Sequence, residues 1–76
     1  MEDKEILKII GNNLRAERSR RSLSQEKLAE MAGLSYGQVI GTIERGEINT
    51  SILVIIKILK VLDIDFDKIY NLKNDN

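Results

Sequence analysis

From Ser24 to Gly46 the chain reads SQEKLAEMAGLSYGQVIGTIERG, with apolar residues at helical spacing interrupted by Gly33, Gly37 and Gly41. A glycine inside a helix costs about 1 kcal/mol relative to alanine. One glycine marks the stop between two helices. Two more in so short a segment point to a place where the backbone must come close to something else. The joint between the two helices is too short for an antiparallel hairpin, so the segment is expected to turn a tight corner.

The rest of the chain must stabilise that corner without staples. With 76 residues it is one domain at most, and with no cysteine or histidine it has no disulfide, no thiolate metal site and no imidazole base or ligand. Its hydrophobic fraction of 42% suffices for one core, although Tyr36, Phe66 and Tyr70 are its only aromatics. No apolar run approaches the roughly 20 residues needed to span a bilayer, and MEDKEILKII begins acidic, unlike a signal peptide. A small, soluble, cytoplasmic, all-α protein is expected. The 12 basic residues balance the 12 acidic ones, so bulk charge suggests no acidic partner. The distribution is uneven, however. Arg15, Arg18, Arg20 and Arg21 cluster around a single acid, Glu17, whereas Asp63, Asp65 and Asp67 form an acidic run.

Five helices are expected. The first, Asp3 to Arg20, buries Ile6, Ile9, Ile10 and Leu14, with Asn12 and Asn13 facing solvent. The second follows an N-cap at Ser24, turns Leu28, Ala29 and Ala32 inward and ends at Gly33. The third carries Val39, Ile40 and Ile43 and ends at Gly46; the fourth follows Thr50 and runs to about Leu62. A short fifth, capped by Asp65, carries Phe66, Ile69, Tyr70 and Leu72. The aspartate run lacks the glycine and the final glutamate of a calcium loop.

IGNNLRAERSRRSLSQEKLAEMAG resembles the first two helices of the phage repressor and Cro type of helix-turn-helix domain, the Xre family, with Arg18, Ser24, Gln25, Leu28, Ala29 and Gly33 at the family's spacing. IERG, from Ile43 to Gly46, is similar to the end of its recognition helix, and SILVIIKILKVLDI to its fourth helix. The resemblance covers about residues 6–70 of a single 1–76 domain. It implies a compact five-helix bundle of phage-repressor type, with the second and third helices forming the helix-turn-helix. It also implies an ion pair between Arg18 and Glu44.

The chain departs from the family by one extra residue between the turn glycine and the Ile-Glu-x-Gly ending. Counting forward from Gly33 exposes Ile40 and buries Thr42. Counting back from Ile43 buries Ile40 and exposes Gly41 and Thr42. Exposing Ile40 would forfeit roughly 1.5–3 kcal/mol. The second frame is therefore adopted, and the extra residue falls in the turn between Leu34 and Gly37. Gly37, at the start of the third helix, is then expected to need positive φ. Gly41 lies one turn later, where a missing Cβ lets the backbone approach a groove or the second helix.

In this frame Gln38 either reads an adenine edge or closes a capping box with Ser35. Tyr36 either meets a phosphate or thymine methyl or packs on the second helix. Thr42 reaches a base or phosphate, and Gln25 lies near orphan backbone N–H groups that favour a phosphate. By resemblance, Arg45 and Asn49 flank a loop that meets the DNA backbone. Arg20 and Arg21 either touch phosphate or form a solvated basic face.

The resemblance implies a transcriptional regulator that binds double-stranded DNA sequence-specifically, with no cofactor and no enzymatic role. Its third helix would enter the major groove, and a homodimer would engage a two-fold symmetric operator. An excess of apolar residues in the fourth and fifth helices suits that dimer. Ile52, Ile55, Ile56, Leu59 and Leu62 are expected to face inward, leaving Leu53, Val54 and Val61 near the edges and Phe66, Ile69, Tyr70 and Leu72 as further apolar surface. Val54, Val61, Phe66, Ile69 and Tyr70 are expected at the partner contact. The resemblance extends to restriction-modification controllers and antitoxins. The alternative is a protein-interaction module with the same fold that binds a partner through its last two helices.

Overall fold

A computed structural model describes residues 1–73. Four α-helices occur among them: α1 (Asp3–Arg20), α2 (Gln25–Met31), α3 (Gln38–Glu44) and α4 (Ile52–Leu62). Each boundary has a local cause. In α1, acids in the first turn (Asp3, Glu5) and bases in the last (Arg18, Arg20) complement the helix dipole. At α2 the Lys27 N–H donates to Ser24 Oγ at 2.9 Å, and at α4 the Val54 N–H donates to Ser51 Oγ at 3.2 Å. Gly33 (φ 72°) and Gly46 (φ 70°) take the left-handed backbone that ends α2 and α3.

The core joins α1 through Leu14, α2 through Leu28 and Ala29, and α3 through Ile40 and Ile43. The α4 residues Ile55, Ile58, Leu59 and Leu62 complete it, together with Ile69. Ile40 and Ile43 are buried together, as the frame counted back from Ile43 expects, although Gly41 is buried and Thr42 half-buried rather than exposed. The stretch between Met31 and Gln38, where the extra residue is expected, is not α-helical.

Several expectations need correction. The fifth helix is only a 3₁₀ turn, Phe66–Lys68, and no side-chain hydrogen bond caps it at Asp65. Three residues fall short of a nucleated α-helix. The segment is instead held by burial of Ile69, which is 0% exposed, and by Asn13 Nδ2, which donates to the Ile69 carbonyl at 2.8 Å. Asn13 therefore faces the C-terminal segment rather than solvent. In α4 the inward stripe includes Ile58, while Ile52 and Ile56 are exposed. A helix reading ILVIIKILKVL has too few polar positions to set its own rotational phase, so packing against the other helices sets it.

Candidate nucleic-acid interface

The position of α3 is locked by one buried ionic network. Arg18 Nε and Nη2 donate to the Glu44 carboxylate at 2.6 and 3.0 Å, a two-point pairing of planar groups. Arg18 Nη1 donates to the Leu23 carbonyl at 2.7 Å, and Gln25 Nε2 donates to Glu44 Oε1 at 3.1 Å. The side chains of Arg18 and Glu44 are only 13% and 4% exposed. The hydrogen bonds it donates to Glu44 hold the Arg18 guanidinium above its ordinary pKa, so it stays charged. The ion pair implied by the resemblance is thus present, and it ties α1 to the end of α3.

Close backbone approach provides a second lock. Gly11 is buried in the middle of α1, and a Cβ there would collide with the Ile43 carbonyl oxygen and lie 2.6 Å from the Glu44 carbonyl oxygen. Sequence reasoning passed over Gly11. The available signal was an isolated glycine inside a helical pattern.

Gly37 has φ −64°, so the expected positive φ is not found. Its role is steric: a Cβ there would lie 3.1 Å from Glu26 Cγ and 3.2 Å from Glu26 Cα. Gly41 is buried rather than exposed, and a Cβ would lie 3.1 Å from Arg45 Nη1 and 3.3 Å from Gln25 Oε1. Both glycines let α3 sit close to α2.

With its inner side held, α3 turns other residues outward. Gln38 is exposed in the first turn, and the residue capping α3 is Gly37, so the capping box with Ser35 does not form. Tyr36 is exposed in the turn and is not buried against α2. Thr42 is half-buried, and its hydroxyl donates to the Val39 carbonyl at 2.8 Å, so its proton is already used within α3. Arg45 is exposed, its Nε donating to Glu47 Oε2 at 2.9 Å. That contact holds the Glu47 carboxyl below its ordinary value. Asn49 is exposed in the loop before α4. Gln25 serves the Glu44 network with one amide proton, a role sequence reasoning did not assign.

Arg20 and Arg21 both pair with Glu17, at 2.7 and 2.8 Å, and the Arg21 and Arg20 hydrogen bonds hold the Glu17 carboxyl below its ordinary value. Of the residues expected at a dimer contact, Ile69 is consumed by the protomer's own core, whereas Val54, Val61, Phe66 and Tyr70 are half-buried. The free apolar surface of α4 lies on Leu53, as expected, and on Ile52 and Ile56, which were expected inward; Ile52, Leu53 and Ile56 are 69%, 57% and 42% exposed. No cluster able to hold a metal ion occurs among the described residues, and none of their helices is long and apolar enough to cross a membrane.

A helix-turn-helix family model matches residues 14–69. The control protein C.SmaI of Serratia marcescens is 36% identical over 74 residues, covering 93% of this chain and 87% of that protein. The helix-turn-helix-type transcriptional regulator YgzD of Bacillus subtilis is 32% identical over 65 residues, covering 86% of this chain and 97% of YgzD. Among solved structures, the restriction-modification controller protein C.AhdI from Aeromonas hydrophila superposes with a TM-score of 0.79 at 38% identity, over 84% of this chain and 96% of that one. A transcriptional regulator from Vibrio cholerae gives 0.81 at 32% identity over 91% of this chain, which spans 38% of that longer protein. A matched core, a locked α2–turn–α3 corner and these relatives agree: the chain belongs to the phage repressor/Cro-type (Xre) helix-turn-helix family of DNA-binding regulators.

Proposed function

We propose that the protein is a sequence-specific transcriptional regulator that binds double-stranded DNA as a homodimer, with α3 in the major groove and α2 crossing the phosphate backbone. The observation that carries this reading is the two-sided character of α3. Its inner side is fastened by Arg18, Glu44 and Gly11, while Tyr36 and Gln38 stand free at its start. A rigid helix with free polar side chains at its leading end is what base readout needs. Gln38 reads base edges, Tyr36 contacts a thymine methyl or phosphate, and Arg45 and Asn49 reach the backbone. Thr42 contributes through its hydroxyl oxygen, since its proton is engaged.

The dimer forms through the outer face of α4, on Ile52, Leu53 and Ile56, flanked by the half-buried Val54, Val61, Phe66 and Tyr70. A contiguous apolar stripe on so small a protein favours self-association. A two-fold contact also presents two recognition helices to half-sites about 34 Å apart. The likeness to a restriction-modification controller makes regulation of such a system the first setting to test. The decisive experiment is selection of bound duplexes from a random pool. A two-fold symmetric consensus is expected. Failure to enrich any sequence would refute DNA readout and favour partner binding through α4.

A further inference from the structure

Of the four arginines between Arg15 and Arg21, three are engaged: Arg18 by Glu44, and Arg20 and Arg21 by Glu17. Arg15 forms no ion pair among the described residues, and its side chain lines a hollow of about 260 Å³ with Arg18, Gln25, Gly41, Glu44 and Arg45. The one carboxylate in that hollow is neutralised, since Glu44 accepts three hydrogen bonds from Arg18 and Gln25. Arg45 shares its charge with Glu47, an exposed contact that solvent weakens. The absent Cβ at Gly41 leaves room for the Arg45 guanidinium beside Gln25. Arg15 therefore brings an uncompensated positive charge to a hollow at the junction of α1, α2 and α3.

We propose that this hollow seats one DNA backbone phosphate between the guanidiniums of Arg15 and Arg45, making Arg15 a phosphate-binding residue of α1. The site rests on the DNA-binding reading above and adds to it a contact from outside the helix-turn-helix. Guanidinium forks match phosphate oxygens at two points. The hollow joins the first residue of α2 to the end of α3, where the backbone must pass if α2 crosses it. This contact positions the protein and carries no base information.

The test measures binding of the full chain to a mixed-sequence duplex by fluorescence anisotropy as KCl is raised. Each phosphate neutralised contributes about −0.9 to the slope of log K against log salt. Arg15→Ala should therefore make the slope shallower by about 0.9 per bound protomer. Raising salt from 50 to 200 mM should then cost the variant about 3.5-fold less affinity per protomer than wild type. Arg20→Ala, which removes a residue already held by Glu17, should keep the wild-type slope. The consensus selected by Arg15→Ala should match the wild type, and so should its melting temperature, because Arg15 is exposed. If wild type binds duplex and Arg15→Ala has the same slope, or selects a different consensus, the phosphate site is refuted while the DNA-binding reading stands. If wild type binds no duplex, both fall together.

Discussion

Replacing Arg18 with alanine should strongly destabilise this protein, because the substitution strands the buried Glu44 carboxylate. That carboxylate is 4% exposed on its side chain and loses two of its three hydrogen bonds, keeping only the one from Gln25. Removing one partner of a buried pair costs about 3–5 kcal/mol, most of it from the uncompensated charge left behind. A 76-residue domain has a total stability of about 4–11 kcal/mol, so the loss consumes roughly a quarter or more of the margin. At about 4–8 °C per kcal/mol the melting midpoint should fall by roughly 12–40 °C. Thermal and urea melts followed by circular dichroism measure this directly. Arg20→Ala is the control: its guanidinium is exposed, so its pair with Glu17 is worth about 1 kcal/mol, and Glu17 retains Arg21. The double variant Arg18→Met/Glu44→Leu should recover much of the loss, because it removes both charges. Arg18→Ala melting within a few degrees of Arg20→Ala would refute the reasoning, and so would a double variant no more stable than the single one.

Gly11→Ala should destabilise at or above the upper end of the roughly 1–3 kcal/mol typical of overpacking, since its methyl meets backbone oxygens of α3 that cannot rotate away. Chemical denaturation checks it, and a neutral effect would mean that α1 and α3 are farther apart. Gln38→Ala should relax base preference at a cost of roughly 1–3 kcal/mol at the selected site, with stability unchanged. Gln25→Ala should lower both stability and affinity, because Gln25 also serves Glu44; parallel melts and binding curves separate the two. Leu53→Lys should convert the proposed dimer to an 8.7 kDa monomer in sedimentation at micromolar concentration, and a dimer that survives it would place the interface elsewhere.

Much of this molecule follows from short-range chemistry that can be read along the chain. Serines at 24 and 51 cap helices through bonds spanning three residues, and Gly33 and Gly46 end helices because only glycine takes positive φ without Cβ strain. The joint burial of Ile40 and Ile43 in α3 was legible too, since exposing Ile40 would forfeit apolar burial, whereas the burial of Gly41 was not. Contacts between distant segments decided the rest. Nothing near Gly11 in sequence announces that the α3 backbone lies against it, and nothing near Gln25 announces the Glu44 carboxylate. In α4, apolar residues surround nearly the whole helix, so only its neighbours could choose Ile58 for the core and leave Ile52 and Ile56 outside. Ile69 was drawn inward in the same way, its carbonyl held by Asn13 from α1. Local hydrogen bonds and backbone sterics are encoded within a few residues; the phase of an apolar helix and the closeness of two backbones exist only once the helices meet.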